Sequence, residues 1–226
     1  LDGRLERLER ELARRRSPEQ EAERRLLHRC LEALEAETPL RRLELDAEAE
    51  KVLRGFTFLS MKPMLVVLNL DEGEVEEDPF AAPAWSVWKE DPRVALTQVV
   101  ATLEGELAEL EPAERDELIR ELGLQEPALD RVIRASYGLL GLVSFFTVGE
   151  DECRAWSIRR ETLAVEAAAA IHSDIQRGFI RAEVVPWEEL LDAGALAACR
   201  QRGTLRLEGR TYPVRDGDVV HYRFNV

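Results

Sequence analysis

The stretch "KPMLVVLNLDEGE", residues 62–74, decides how the first half of the chain folds. A proline precedes an unbroken apolar run over 64–68. Continuous apolar strands are typical of parallel sheets that are covered on both faces, and ligands of such sheets bind at the carboxyl ends of the strands. We therefore predict a buried strand over about 64–70 that carries Asn69 and, three residues later, Glu72 to a ligand site.

A second apolar run, "RVALTQVVA" at residues 93–101, predicts the neighbouring strand of the same sheet. Residues 103–140 show helical periodicity throughout. Their apolar side chains, among them Leu129, Ile133 and Tyr137, are expected on the buried side of these helices. Together these segments predict a partial α/β unit with parallel strands.

Residues 1–45 predict a helical hairpin, because leucines recur there at steps of three and four residues. The two stripes are Leu1, Leu5, Leu8 and Leu12 in the first helix and Leu27, Leu31 and Leu34 in the second. Between the helices, Ser17 can serve as an N-cap and Gln20 can complete a capping box, and Asp46 is a candidate N-cap for the next helix. The outer faces are dense in Glu and Arg, which fits either a solvated coiled-coil arm or a docking arm for a large partner.

After Gly141 the pattern changes to short strands and short helices. The predicted strands are "LVSFFTVG", "CRAWSIR", "FIRAEVV", "TLRLEG", "RTYPV" and "DVVHYRFNV", and the predicted helices are "AVEAAAAIHSDIQRG" and "PWEELLDAGALAACRQRG". Apolar and polar residues alternate in the last strand, so one of its faces is buried. The sequence thus predicts an α+β chain in three parts: the hairpin over 1–45, the partial α/β unit over 46–140 and a small β-grasp domain over 141–226.

The charge balance limits the partners that the chain can take. The 226 residues carry a net charge of −14, and residues 141–226 hold 11 Arg against 13 Asp and Glu, so almost all of the excess acid precedes them. Such acidity excludes a general coat for DNA or RNA, and contact with RNA needs a local basic face. No apolar run approaches the roughly 18 residues that cross a membrane, so no membrane partner is expected.

The cysteines and histidines indicate neither a metal site nor a catalytic centre. The three cysteines show no CxxC spacing, which argues against zinc and against a disulfide framework and fits a reducing, cytoplasmic setting. We expect Cys153 to be a buried structural thiol and His172 to make a structural hydrogen bond. The chain starts without Met and already in helical rhythm, so we expect it to be a fragment.

Several segments in order and spacing carry a resemblance to a known family: "LRGFTFLSMKPMLVVLNLDE", "ELGLQEPALDRVIRASYGLLGLVSFFTVG", "IHSDIQRGFIRAEV" and "LEGRTYPVRDGDVVHYRFNV". The chain resembles the YchF/Obg-like ATPases, a branch of the P-loop GTPases. The resemblance implies part of the helical arm of the G domain, the last third of that domain and a C-terminal TGS domain, in a translation-associated nucleotide switch. It implies ATP or GTP with Mg²⁺ in the full-length protein, with no tight binding by this chain alone.

The resemblance also implies a site that reads a purine base. GTPases of the usual kind read the base with Asn-Lys-x-Asp, whereas the family resembled here has Asn-x-x-Glu, matched by residues 69–72, and accepts ATP. A second loop of the family, Ser/Cys-Ala-Lys-hydrophobic-Glu, corresponds to residues 100–104, where Thr102 replaces the lysine. The implied base-binding residues are Asn69, Leu70, Glu72, Ala101 and Thr102. Taken alone, Asn-x-x-Glu after a strand is explained about as well by a capping turn.

Arginines on the predicted strands and turns of the TGS-like domain form the second candidate site. They are Arg154, Arg206, Arg210, Arg215 and Arg223. On one exposed sheet face they would make a basic platform for the phosphates of a ribosome or structured RNA. An ordinary solvated sheet face, paired with Asp and Glu, is the alternative. At the level of function, the alternative is a non-catalytic interaction module with a vestigial nucleotide site. We expect a monomer in either case.

The purified chain alone should hydrolyse neither ATP nor GTP. Phosphoryl transfer depends on positioning and charge stabilisation by a phosphate cradle, a lysine and Mg²⁺, and the sequence has no GxxxxGK followed by Ser or Thr. A phosphate-release assay with each nucleotide checks this expectation. Turnover above a buffer blank that Glu72→Ala abolishes would contradict it.

Overall fold

The structure is a computed structural model of an α+β chain, which confirms the predicted fold class. It describes residues 1–71, 78–122, 124, 126–149 and 151–225. The chain divides into two compact units, Leu1–Val132 (unit 1) and Ile133–Val226 (unit 2). Among the described residues, the helices all fall short of the length and apolar character needed to cross a membrane.

Unit 1 is mainly helical with one pair of strands. Its elements are α1 (Asp2–Arg14), α2 (Pro18–Glu35), α3 (Ala47–Arg54), β1 (Met64–Asn69), α4 (Ser86–Lys89), β2 (Val94–Val99), α5 (Ala101–Glu109), α6 (Pro112–Glu121) and the start of α7 (Ala128–Leu140). Ser17 and Asp46 cap α2 and α3 as predicted, since their side chains accept from backbone N–H groups three residues later. Glu72 lies outside the described residues.

The hairpin of α1 and α2 packs on the connection that leads to the strands. Its core contains Leu8, Leu27, Cys30, Leu40 and Leu53, all at least 99% buried. Burying a leucine side chain contributes about 1.5–3 kcal/mol relative to leaving it exposed. This cluster joins residues far apart in sequence, so it holds the hairpin against the segment that precedes β1.

β1 and β2 run parallel and in register, with Met64 opposite Val94 and Asn69 opposite Val99. The prediction of cover on both faces is wrong for this chain: Val67, in the middle of β1, is 41% exposed. This sheet has two strands, and the described residues leave part of its surface uncovered. β1 keeps its apolar sequence although much of that surface meets solvent.

A buried carboxylate organises the start of β2. Asp91 is 4% exposed, and its Oδ2 accepts hydrogen bonds from Arg42 Nε at 3.0 Å and Arg41 Nε at 3.4 Å. Its Oδ1 accepts from the backbone N–H of Arg93 at 3.0 Å. Burial alone would raise the pKa of Asp91, but these hydrogen bonds and the two guanidinium charges outweigh it and hold the pKa below its ordinary value.

The helices that follow β2 are more exposed than their sequence predicts. Leu129, Ile133 and Tyr137 of α7, expected on a buried face, are 61%, 47% and 38% exposed. Periodicity identifies an apolar face on a helix but does not show what covers it. The prediction of helices over 103–140 agrees with α5, α6 and α7 within the described residues.

Unit 2 is a five-stranded sheet with helices on both faces. Besides the end of α7 it contains β3 (Leu142–Val148), β4 (Cys153–Arg159), α8 (Ala164–Ile171), α9 (Ser173–Arg177), β5 (Phe179–Pro186), α10 (Trp187–Ala193), α11 (Leu196–Arg202), β6 (Arg206–Glu208) and β7 (Asp218–Phe224). The strand order is β4-β3-β7-β5-β6, with only β3 and β7 parallel. The larger core, around Phe145, Val184 and Val220, lies between the sheet and α8, and a smaller one, around Val185, Cys199 and Val219, lies under α10 and α11.

Two predicted helices of unit 2 are each broken once. At His172 the backbone is extended, with φ −163°, and Nδ1 accepts from the backbone N–H of Asp174 at 3.1 Å, so α8 ends and α9 begins. Gly194 adopts φ +76° and separates α10 from α11. The predicted strand "RTYPV" is also wrong, since only an isolated bridge joins Pro213 to Leu163. Cys153 is exposed rather than buried, because it lies at the end of the edge strand β4.

Replacing Asp91 by Asn should destabilise unit 1 by roughly 3 kcal/mol, because a buried guanidinium, that of Arg41, then lacks its counter-charge. A depressed carboxylate pKa adds stability above the unfolded pKa, and this stability is lost as the pH falls through the folded pKa. The variant should therefore show a shallower loss of stability below about pH 4 than the parent chain. Urea titrations across acidic pH measure both effects.

Asp116→Asn is the matched control, since that carboxylate is 68% exposed and should change stability by less than about 0.5 kcal/mol. Equal effects of the two substitutions would show that Asp91 has no special structural role.

Candidate functional site

The first candidate site lies where β1 and β2 end together. In parallel strands that run in register, the carboxyl ends meet at one edge of the sheet, which is where open α/β sheets bind ligands. Asn69 stands opposite Val99, and the backbone N–H of Leu70 donates to the carbonyl of Val99 at 2.8 Å. The two loops that follow the strands therefore start side by side.

The side chain of Asn69 joins the two loops directly. Its Oδ1 accepts a hydrogen bond from the backbone N–H of Ala101 at 3.0 Å. Ala101 is the first residue of α5, and the preceding Val100 makes no side-chain capping bond. Asn69 thus caps α5 from the neighbouring strand and satisfies one N–H group that the helix start leaves without an intrahelical partner.

The other base-site residues surround this bond, as far as the structure describes them. Leu70 is half-buried beside Asn69, whereas Ala101 and Thr102 are exposed at the first turn of α5. A cavity of about 30 Å³ next to Leu70 has room for roughly one water. The described residues therefore offer a purine an open edge rather than an enclosed pocket, and Glu72 is outside the part of the chain on which this geometry rests.

Glu104 and Arg131 support this edge, a role that their sequence does not predict. The two carboxylate oxygens of Glu104 accept from the backbone N–H groups of Ala128 at 2.7 Å and Leu129 at 3.3 Å, at the start of α7. Arg131 Nη2 donates to the carbonyl of Gln98 in β2 at 2.9 Å. A carboxylate at a helix N-terminus is favoured by the helix dipole. The pattern at 100–104 contains the glutamate, but no spacing in the sequence pairs it with a helix 24 residues away.

Of the five arginines predicted to contact a partner, three lie on strands of unit 2, on both faces of the sheet, and Arg210 and Arg215 lie between β6 and β7. Arg154 shares its face of β4 with Trp156, and Arg206 stands opposite a residue of the larger core, so both lie on the side of that core. Arg223 follows Tyr222, which also belongs to that core, and therefore points to the opposite face. The structure thus separates Arg223 from Arg154 and Arg206.

Arg206 belongs to a hydrogen-bonded network inside the unit. Its Nη2 lies 3.0 Å from the hydroxyl of Tyr212 and 3.5 Å from Oδ1 of the buried Asp218. Tyr212 donates to Oδ2 of Asp218 at 2.8 Å, and the backbone N–H of Arg215 donates to the same oxygen at 2.9 Å. Burial and the hydrogen bond to Asp218 raise the pKa of Tyr212, so its hydroxyl remains a donor. This network fixes the turn that leads into β7.

Arg154 and Arg210 instead pack on aromatic rings. The guanidinium of Arg154 lies 4.5 Å from the ring centroid of Trp156, and that of Arg210 lies 5.7 Å from the ring of Phe179. Arg210 Nη1 also donates to the carbonyl of Phe179 at 3.3 Å. Such cation–π contacts contribute about 0.5–1 kcal/mol at exposed sites and leave the charges available at the surface.

Known proteins are similar to this chain along most of its length. A family model described as "YchF-GTPase_C: Protein of unknown function (DUF933)" matches residues 142–225. A Bacillus subtilis protein named "Ribosome-binding ATPase YchF" is 43% identical over 218 residues, which cover 95% of this chain and 59% of the relative. The protein of that name from Escherichia coli O157:H7 is 40% identical over 205 residues, covering 91% of this chain and 56% of the relative.

A solved structure, that of the Schizosaccharomyces pombe YchF GTPase, has the same fold with a TM-score of 0.81 at 25% identity, over 98% of this chain and 61% of that one. The chain thus spans somewhat more than half the length of these relatives. The shared sequence and fold define its class as the GTPase-related proteins. Within that class the chain belongs to the YchF, or Obg-like, family, as its sequence predicts.

Replacing Asn69 by Ala should destabilise unit 1 by about 1 kcal/mol, because the N–H of Ala101 loses its acceptor. Asn69→Asp is the matched control, since its carboxylate still accepts from Ala101 and a negative charge is favourable at the start of α5. Urea denaturation of the three chains measures the difference. Equal losses for Ala and Asp would show that the acceptor at residue 69 does not stabilise the loops.

Proposed function

We propose that this chain is the C-terminal portion of a YchF-type nucleotide switch that acts in translation in the cytoplasm. In this proposal, residues 1–45 belong to the helical arm, 46–140 to the base-reading end of the G domain and 141–226 to a TGS-like domain. The observation that carries it is the hydrogen bond from the backbone N–H of Ala101 to Oδ1 of Asn69, which joins the two loops at the carboxyl ends of β1 and β2. The relatives named as ribosome-binding ATPases support the proposed role in translation.

The edge at β1 and β2 fits a purine base. The carboxamide of Asn69 offers a donor and an acceptor, of which the acceptor also holds Ala101, and Leu70 supplies apolar surface for a base to lie on. In the full-length protein the bound ligand would be ATP or GTP. Its triphosphate and Mg²⁺ would be held by residues outside this chain, because no phosphate-binding loop occurs in its sequence. The nucleotide supplies the phosphoryl group, and this chain's part is to orient the base.

Unit 2 is the part that we propose contacts the ribosome. Residues 141–226 are nearly neutral within a chain of net charge −14, so this part is repelled least by RNA. Arg154 and Arg210 hold their charges at its surface by packing on aromatic rings. Arginine contacts to phosphates position a protein on RNA without reading its sequence.

An interaction module with a vestigial nucleotide site is the second candidate function. The N–H of Ala101, one of the groups expected to meet a base, already donates to Asn69, and Thr102 stands where the family pattern has lysine. Amide shifts at Leu70 and Ala101 on addition of millimolar ATP would favour the nucleotide switch. Ribosome binding without any such shift would favour the module.

The full 226-residue chain should co-sediment with vacant ribosomes at about 50 mM salt and much less at about 200 mM, because bound counterions are released on association. The double reversal Arg154→Glu with Arg215→Glu should reduce this binding more than Arg7→Glu with Arg10→Glu on the exposed side of α1, although both change the charge equally. Pelleting assays at the two salt concentrations decide. Loss of binding only with the α1 variants would assign docking to the hairpin instead.

A further inference from the structure

One face of the strand pair β5–β7 changes from apolar to basic along its length. Three pairs of opposite residues lie on this face: Val185 with Val219, Glu183 with His221 and Arg181 with Arg223. The valines are buried under α10 and α11 in the smaller core. The arginines at the other end are exposed, and Arg200 of α11 reaches over the middle pair.

A single buried carboxylate holds two of these arginines in place. Glu183 is 7% exposed, and its Oε1 accepts from Arg200 Nη2 at 2.7 Å and from Arg223 Nη2. Burial alone would raise the pKa of Glu183, but the hydrogen bonds and charges of the two arginines outweigh it and hold the pKa below its ordinary value. The carboxylate therefore stays ionised, while the side chains of Arg200 and Arg223 remain 58% and 53% exposed.

The cluster carries more positive charge than its own contacts need. Arg181 stands directly opposite Arg223 in the antiparallel pair, and like charges in that position are destabilising. Within the described part of the chain no carboxylate forms an ion pair with Arg181, so Glu183 is the acid set against three guanidinium groups. Such an arrangement costs stability in the free protein and is favourable once an anion lies over it.

We propose that Arg181, Arg200 and Arg223 form a surface that binds the phosphate backbone of RNA, with Glu183 as the positioning residue. The inference rests on the proposed contact of unit 2 with the ribosome and adds a contact on the face of the sheet opposite Arg154. A guanidinium fork matches phosphate oxygens in a bidentate manner. The three groups stand on an open face formed by two strands and a helix, which suits a continuous chain of phosphates and supplies no base readout.

The full chain and four single variants test the surface with two probes, a fluorescein-labelled oligouridine and vacant ribosomes. Arg181→Glu removes a phosphate contact, and Arg181 is not one of the two arginines that donate to Glu183. It should weaken both interactions about tenfold and lower the slope of log affinity against log salt by about one. Arg159→Glu is the control, because it makes the same charge change at an exposed position of unit 2 on the edge strand β4. It should change either affinity by less than about twofold.

Glu183→Gln tests positioning separately from charge. It makes the chain less acidic, so a purely electrostatic surface would bind oligouridine more tightly. If Glu183 holds Arg200 and Arg223 in place, binding weakens instead. Circular dichroism checks that the Glu183→Gln variant is folded. Arg181→Lys, which keeps the positive charge, should recover most of the affinity that Arg181→Glu loses.

The outcomes separate this inference from the proposed function. Equal losses for Arg181→Glu and Arg159→Glu, with ribosome binding intact in the parent chain, would overturn the surface and leave the function standing. Ribosome binding that depends on Arg181 without any binding of oligouridine would assign the surface to an acidic protein and overturn the RNA inference. Oligouridine binding through Arg181 without ribosome binding would support the surface and overturn the function. Absence of both at low salt would overturn both.

Discussion

The carboxylate of Asp91 determines the geometry of unit 1, because three structural features depend on it. It holds Arg41 and Arg42 after the hairpin, and it accepts from the N–H of Arg93 at the turn into β2. The carbonyl of Arg93 then accepts from the N–H of Met64 at 2.9 Å, next to the first pair of β1 and β2. A shift of one residue in a strand turns every side chain to the other face. The hydrogen bond between Met64 and Arg93 supports the observed register, in which both strands end at the same level.

The sequence was sufficient to predict features that depend on neighbours along the chain. The apolar runs identified β1 and β2, the caps at Ser17 and Asp46 were found from local chemistry, and the family was recognised from motifs in order. Specific side-chain contacts over long separations were not predicted. Asp91 meets Arg41 50 residues away, and Glu104 caps a helix 24 residues away, and no periodicity encodes either pairing.

Unpredicted side-chain contacts also explain where the predicted helices were wrong. The Ala-rich helix was predicted as continuous, but the side chain of His172 competes for the backbone N–H of Asp174 and ends it. The exposure of Leu129 shows the converse case, in which a helix has its apolar face without cover from the described residues. Of the proposed base site, the sequence predicted the strand ends and the residues expected there, whereas the hydrogen bond between Asn69 and Ala101 emerged only from the structure.

Both units contain a buried carboxylate that holds two arginines, and the exposure of those arginines separates two roles. Around Asp91 the side chain of Arg41 is 7% exposed, so its charge is paired inside the protein and the ion pair has a structural role. Around Glu183 both guanidinium groups stay more than half exposed, and Arg181 adds a third that no described carboxylate pairs. Arg181 and Arg223 stand directly opposite each other, and like charges in that position are destabilising. The cost of an unbalanced cluster at Glu183 is therefore better explained by a ligand than by the fold.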